Sequence, residues 1–294
     1  DGLPALAERA KSLGLRLTYP IHAADGTSPA LPDEQLVRLV TECGAGALEI
    51  RGAHLSGLPA RSRVNALLRL RTAVEKLRSA NKDVEIRMVT GDPVAASDLH
   101  LLSVADQVRF QTPSSDNGTA TRRERYLRAF VYPLFALGVG GANSGPQLPL
   151  AQMKYAILSG ASNCPQVQAS RQISDPDPVV ADYLREFYAF RDRFAQYFDV
   201  YQHVLDVPDG ARVDGEAHII DNRGFLLLFN PSESSQKVTL PLDEPGLELK
   251  GRLKLSDWTA LESAAGLGEA EPGDAVEVQI EPMSAKVIGI NIAS

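Results

Sequence analysis

Only two cysteines, Cys43 and Cys164, occur in 294 residues, too few for a disulfide framework and without the spacing of a zinc site. Both read as buried small hydrophobes. Long apolar runs are also missing. The longest, Phe130 to Ala142, is interrupted by Pro133 and falls short of the roughly 20 residues that a membrane-spanning helix needs. There is no basic excess: 30 Lys and Arg against 37 Asp and Glu leave a net charge of −7 and a pI near 5.3, which argues against a broad phosphate-binding surface and against nucleic acid as a partner. No set of His, Asp and Glu has a metal-binding spacing, and no cofactor is expected. The glycine-rich stretch Gly138 to Gly145 lacks both the dinucleotide fingerprint and the phosphate-loop lysine. It reads instead as a barrel strand and a close-packed loop that admits substrate. Solenoid repeats and low-complexity runs are absent as well. No secretory signal is visible, but the chain opens on Asp1 rather than Met, as a processed or trimmed chain does. The missing signal is thus uninformative; a secreted or periplasmic location is expected, with the cytoplasm left open.

What is present is the composition of a globular protein, 44% hydrophobic and 23% charged, in a length that suits one large domain or two ordinary ones. The first two-thirds alternates helical and strand patterns. Helices are predicted at Leu3–Leu13 (stopping at Gly14), from Asp33 to Gly44, at Ser62–Ala80, Ala95–Val104, Thr121–Leu137, Leu150–Ser159 and Pro178–Asp199. Strands are predicted at Leu15–Ile21, Ala47–Arg51, Val84–Val89, Val108–Phe110, Gly138–Gly141 and around Val167. Such alternation implies parallel strands with crossover helices, an α/β class. The last helix carries Tyr183, Phe187, Phe190, Phe194 and Phe198 on one side. After Pro208-Asp209-Gly210 the pattern becomes antiparallel β. A hairpin of His218–Ile220 and Phe225–Phe229 is followed by strands at Lys237–Leu242, Leu249–Leu255, Ala275–Ile280 and Ala285–Ile292. The expected domains are residues 1–207, a partial (β/α) barrel, and 208–294, an antiparallel β-sandwich. About six β/α units are counted where a closed barrel needs eight. The helical start suggests that the first strands come from an upstream segment or a second chain; an open doubly wound sheet is the alternative.

Three neighbouring strands alternate in an unusual way. Leu48, Ile50, Val84, Ile86, Met88, Val108 and Phe110 share one face, since alternate residues of a strand point the same way. Glu49, Arg51, Glu85, Arg87, Gln107, Arg109 and Gln111 share the other. Buried parallel strands are normally near-continuous apolar runs, and here three successive strands carry a charged face; in a barrel that face is the lumen, whose C-terminal mouth carries active sites. Arg51, Arg87 and Arg109 would line that mouth and bind carboxylate or sulfate through their forks. The same arginines also serve to neutralise Glu49 and Glu85, and the two readings are compatible.

The segment Ser115-Asp116-Asn117-Gly118-Thr119, with Arg122 and Tyr132-Pro133 after it, resembles the S-D-N-T-D…R…Y-P stretch of melibiase (α-galactosidase)-type retaining glycosidases. The final helix, the segment Phe229-Asn230-Pro231-Ser232 and the closing Pro282-Met283-Ser284-Ala285 extend the similarity over residues 105–292. The resemblance implies a (β/α) barrel with a C-terminal β domain, a saccharide substrate, and Asp116 as general acid/base. As a residue preceding a helix, Asp116 also reads as an N-cap. The family's nucleophile is the Asp of a K-x-D at the end of the fourth strand. The matching strand here reads Glu49-Ile50-Arg51, with the charges reversed. Either Glu49 takes the role, or Asp92 in Thr90-Gly91-Asp92-Pro93 does, or retaining hydrolysis is lost. Asn117, Arg122 and His54 are further candidate substrate contacts. His22 and His54 follow strands, though a lone His is more often an ordinary loop residue. Trp258 and Phe229 read as core. The leading expectation is a glycoside hydrolase for a polar or anionic saccharide using two carboxylates. The alternatives are a non-catalytic carbohydrate-binding or complex-forming relative, and a barrel enzyme for a carboxylated or phosphorylated small molecule.

Overall fold

A computed structural model describes residues 2–24, 28–29, 31–52, 59–90, 101, 103–110, 118–129, 137–139, 150–161 and 178–292. The chain divides into two compact units, residues 1–111 with 131–138 and residues 112–130 with 139–294.

The first unit holds helices α1 (Gly2–Ser12), α2 (Asp33–Thr41) and α3 (Ala60–Ala80), and strands β1 (Leu17–Ala24), β2 (Ser28–Pro29), β3 (Ala45–Arg51), β4 (Glu85–Thr90) and β5 (Gln107–Phe110). Helix α1 stops where the sequence predicts. Gly14 adopts φ +70°, and the amides of Leu15 and Gly14 donate to the carbonyls of Ala10 and Lys11, the paired bonds of a glycine-closed helix end. Along α3 the buried positions Ala66, Leu70, Ala73, Val74 and Leu77 recur at helical spacing. The sheet runs β2-β1-β3-β4-β5-β6, with β6 at Leu137–Val139. Strands β1, β3, β4 and β5 pair in parallel, and short β2 pairs antiparallel with β1. Leu48, Ile50, Val84, Ile86, Met88 and Val108 are all buried, as the alternation requires.

In the second unit, helices α4 (Thr119–Ala129), α5 (Leu150–Ser159) and α6 (Pro178–Arg193) precede an antiparallel array. Its larger sheet has the order β12-β11-β14-β9-β8-β7 and its smaller one pairs β10 with β13. The strands are β7 (Gln202–Leu205), β8 (Asp214–Ile220), β9 (Arg223–Asn230), β10 (Gln236–Thr239), β11 (Leu253–Asp257), β12 (Ala265–Ala270), β13 (Glu277–Ile280) and β14 (Ser284–Ile290). Strand β9 is buried on both faces. Phe225, Leu227 and Phe229 join a core with Tyr155, Phe187, Phe190, Phe194 and Trp258 of the helical layer and its surroundings. Leu226 and Leu228 join a second core with Leu240, Val278, Ile280, Ile288 and Ile290 between the two sheets. The order of elements is that of a partial (β/α) barrel followed by a β-sandwich.

Several boundaries differ from expectation. Leu137, predicted to end a helix, opens β6, and the described helix spans Thr119–Ala129. The helix predicted at Pro178–Asp199 ends at Arg193, and Ala195–Asp199 continues as a 3₁₀ turn. Strand β7 lies before residue 208, so the antiparallel sheet begins within the segment assigned to the barrel. Strand β12, with two glycines in Ala265–Ala270, has no β-branched residue to signal it. Cys43 is half-buried rather than fully so. The helix predicted at Ala95–Val104 lies mostly outside the described residues, and the strand around Val167 and Cys164 lie wholly outside them.

Candidate functional site

The polar face of the first unit forms as the alternation predicts. Glu49 is buried, at 3% exposure, and stands in register with Arg87 on β4. Arg51 Nε donates to Glu49 Oε1 at 2.7 Å, and Arg87 donates to both carboxylate oxygens of Glu85 at 2.9 and 2.7 Å. Each ion pair joins residues two apart on one strand, as neighbours on one face must be. The Arg51 side chain remains 41% exposed, whereas Glu49 beside it is desolvated. His22, exposed on β1, stands in register with Arg51. Strand β5 contributes Gln107 in register with Arg87 and carries Arg109 in register with Val89; the Arg109 side chain lies outside the described structure. Thus the structure brings Glu49, Arg51, Glu85 and Arg87 onto one surface. Asp92, Asp116, Asn117 and His54 lie outside the described residues.

Arg122 requires a different account from the expected substrate contact. It is buried in the second unit. Its Nε and Nη2 donate to Asp214 Oδ1 and Oδ2 at 2.6 and 2.8 Å, Nη1 to Ser159 Oγ at 2.6 Å, and Nη2 also to Tyr155 Oη at 2.8 Å. With no solvent access and its fork occupied by protein, Arg122 does not present donors to a ligand. Burial opposes its charge, but the Asp214 carboxylate outweighs that and raises its pKa further. One turn later Arg125, also buried, pairs with Glu216 and donates to the Ser159 carbonyl at 3.1 Å. Burial pulls its pKa down to about 10.

Both carboxylates come from β8, where Asp214, Glu216 and His218 occupy alternate positions and share the face of Phe229, Leu227 and Phe225 on β9. His218 approaches the Val200 carbonyl through Nδ1 at 2.6 Å, which assigns the proton to Nδ1. Burial pushes its pKa down to about 3, so it is neutral beside Glu216, 3.7 Å from Nε2. Sequence reasoning missed this constellation. Its signal is the alternation Asp214-x-Glu216-x-His218 in a strand whose intervening residues are Gly215 and Ala217.

Among the described residues, no group of three or more His, Cys, Asp and Glu is placed to hold a metal ion, and no helix is long and apolar enough to cross a membrane. No family model matches the chain, and no curated protein does. Solved structures do. A GH27 β-L-arabinopyranosidase from Geobacillus stearothermophilus superposes with a TM-score of 0.64 at 12% identity, covering 100% of this chain and 78% of that one. The fold is melibiase-like. An α-galactosidase from Saccharomyces cerevisiae (TM-score 0.61, 9% identity, 100% and 83% coverage) bears this out. An α-amylase from Geobacillus thermoleovorans, complexed with acarbose, has a TM-score of 0.67 at 13% identity with 99% and 81% coverage. The melibiase-like fold accounts for the sequence order of parallel strands, helices and closing sandwich. Trp258 and Phe229 are core residues in it, both fully buried.

Proposed function

We propose that the chain is a glycoside hydrolase acting on a polar saccharide through a two-carboxylate retaining mechanism. The observation that carries this reading is Glu49, a desolvated carboxylate near the C-terminal end of a parallel strand in a melibiase-like fold. In that reading Asp116 protonates the glycosidic oxygen as the C1–O bond breaks. Glu49 or Asp92 supplies the carboxylate that attacks C1, and water then releases the sugar with Asp116 acting as base. The solved neighbours include a β-L-arabinopyranosidase, an α-galactosidase and an α-amylase, and their range supports the class of reaction more than any one sugar. Arg51 and Arg87 are each matched to a carboxylate of their own strand. A preference for anionic over neutral sugars therefore depends on Arg109.

A second reading is favoured by the same Arg51–Glu49 ion pair. In that reading the carboxylate engaged at 2.7 Å by a neighbouring guanidinium serves as a structural partner rather than a nucleophile, which would make the protein a carbohydrate-binding relative. Neutral and acidic aryl glycosides of both anomers, tested with the wild type, Asp116→Asn, Glu49→Gln and Asp92→Asn, separate the two. Turnover that collapses in Asp116→Asn and in one of the other two identifies the enzyme and its carboxylates. Turnover indifferent to Asp116→Asn removes that residue from the mechanism, and saccharide binding without turnover supports the second reading.

A further inference from the structure

The β-sandwich carries a concavity that belongs to neither polar constellation. Strand β7 closes one side of the larger sheet, and β10 is half of the two-stranded one. Among the described residues β7 pairs only with β8, and β10 only with β13. These two edges line a cavity of about 320 Å³ that opens to solvent, at the small end of the range that small-molecule sites occupy. Its floor is the margin of the inter-sheet core: Val213 belongs to that core, and Leu205 and Val238 pack against it. Its polar lining is Asp206 and Arg212 from the β7–β8 hairpin, with Gln236 and Lys237 from β10.

The hairpin wall is set before any ligand arrives. Leu205 leaves β7 with φ +66°, a left-handed conformation that a bulky side chain adopts only where its surroundings impose it. Arg212 donates to Asp206 Oδ1 at 2.6 Å and to Asp209 Oδ2 at 2.9 Å, and Asp209 Oδ1 accepts the amides of Ala211 and Arg212. From β10, Gln236 Nε2 donates to the Ala211 carbonyl at 2.9 Å and to Ser232 Oγ at 2.8 Å, which ties the two walls together. Three groups are left over. Among the described residues Asp206 Oδ2 and Gln236 Oε1 accept no hydrogen bond, and the exposed Lys237 ammonium has no partner.

That remainder selects a class of ligand. Arg212 and Lys237 are offset by Asp206 and Asp209, so no net charge draws in an ion. Two free acceptors beside a free donor suit a molecule whose own groups both donate and accept, as every sugar hydroxyl does. The apolar floor of Leu205, Val213 and Val238 suits the C–H face of a pyranose ring. We propose that this cavity is a neutral-saccharide subsite of the β-sandwich, holding one sugar unit through Asp206, Gln236 and Lys237. It goes beyond the proposed glycosidic cleavage and does not depend on it.

A sugar of about twelve non-hydrogen atoms at ordinary ligand efficiency binds with a Kd on the order of a few millimolar. Hydrogen exchange of the full chain is therefore followed with D-galactose, D-glucose or L-arabinose, each at about 50 mM, roughly ten times that Kd. At least one sugar is expected to slow exchange in peptides covering residues 203–214 and 234–240, with β9 and β14 at the unliganded rate. Lys237→Ala removes an exposed side chain and is expected to weaken the apparent Kd roughly tenfold, the scale of one charged hydrogen bond. Val238→Phe fills the cavity with a larger apolar group and is expected to abolish the protection. Aryl-glycoside turnover is expected to stay at the wild-type level in both variants. No protection by any of the three sugars overturns the proposal, and so does protection that survives both substitutions. Equal protection by about 50 mM sodium sulfate also overturns it, since the cavity would then be an anion site. Protection in a wild type that turns over no glycoside supports this site while overturning the glycosidase reading.

Discussion

Replacing Arg122 by Ala removes a guanidinium that makes two hydrogen bonds to Asp214, one to Ser159 and one to Tyr155. The Asp214 carboxylate, 0% exposed, is then left among Tyr155 and Phe229 without its cation. Breaking a buried pair by deleting one partner costs about 3–5 kcal/mol, chiefly because the remaining charge stays desolvated. Equilibrium unfolding in urea reads this cost directly. Trp258 is the single tryptophan and sits in the helix-side core with its ring centroid 5.3 Å from that of Phe194, so its fluorescence reports the second unit. The midpoint is expected to fall on the order of 1–2 M at an unchanged slope. The double variant Arg122→Leu, Asp214→Leu removes both charges and both desolvation penalties, and it is expected to cost much less than the sum of the singles. A loss under about 1 kcal/mol in Arg122→Ala would refute the argument, since water would have to reach Asp214. Strict additivity in the double variant would refute it too.

Gly118→Ala forces a Cβ into Ser159 at a φ of +110°, and it is expected to cost more than about 1 kcal/mol in the same unfolding assay; a neutral substitution would show that the entry to α4 yields. His218 titrates in the unfolded chain near 6.5 but in the folded one at about 3, because burial opposes its charge. Between those values the unfolded state binds the extra proton, so stability falls as pH falls, by on the order of 5 kcal/mol from this group across the window. His218→Gln is expected to flatten the dependence of the urea midpoint on pH between 6.5 and 4, and parallel curves would rule the histidine out as its source. Arg109→Gln is expected to lower kcat/KM for acidic aryl glycosides relative to neutral ones by roughly tenfold, the scale of one lost charged contact; an unchanged ratio would show that no anionic preference runs through Arg109.

Elements whose period is carried by apolar residues were legible in the sequence. Helix α3 declares itself through Leu70, Val74 and Leu77, and strands β3 and β4 through Leu48, Ile50, Ile86 and Met88. So was the charged face that Glu49, Arg51, Glu85 and Arg87 form, because a period of two is local. The role of Arg122 was not legible. Its partners Tyr155, Ser159 and Asp214 lie 33 to 92 residues away, and sequence position alone does not distinguish an arginine facing a ligand from one facing a distant carboxylate. Strand β7 was hidden for a related reason: Gln202–Leu205 is short and half-polar, and its pairing with Asp214–Ala217 on β8 is what makes it a strand. Glycine-bearing β12 is held the same way by β11.

The two polar constellations differ in what they leave for a ligand. Around β8, Arg122 and Arg125 each meet a carboxylate, and all four side chains have at most 1% exposure. A sugar or an anion would have to displace a desolvated partner to enter, and the resulting unpaired buried charge makes that prohibitive. On β3 and β4 the pairs are formed along the strand, and the side chains of Arg51 and Arg87 keep 41% and 21% exposure. There a polar ligand can exchange with the water that reaches these partly exposed pairs without removing a carboxylate from its arginine. Glu49 is the exception on that face, desolvated while its partner is not. On the proposed glycosidase reading, that buried carboxylate is the group that would stabilise an oxocarbenium-like C1.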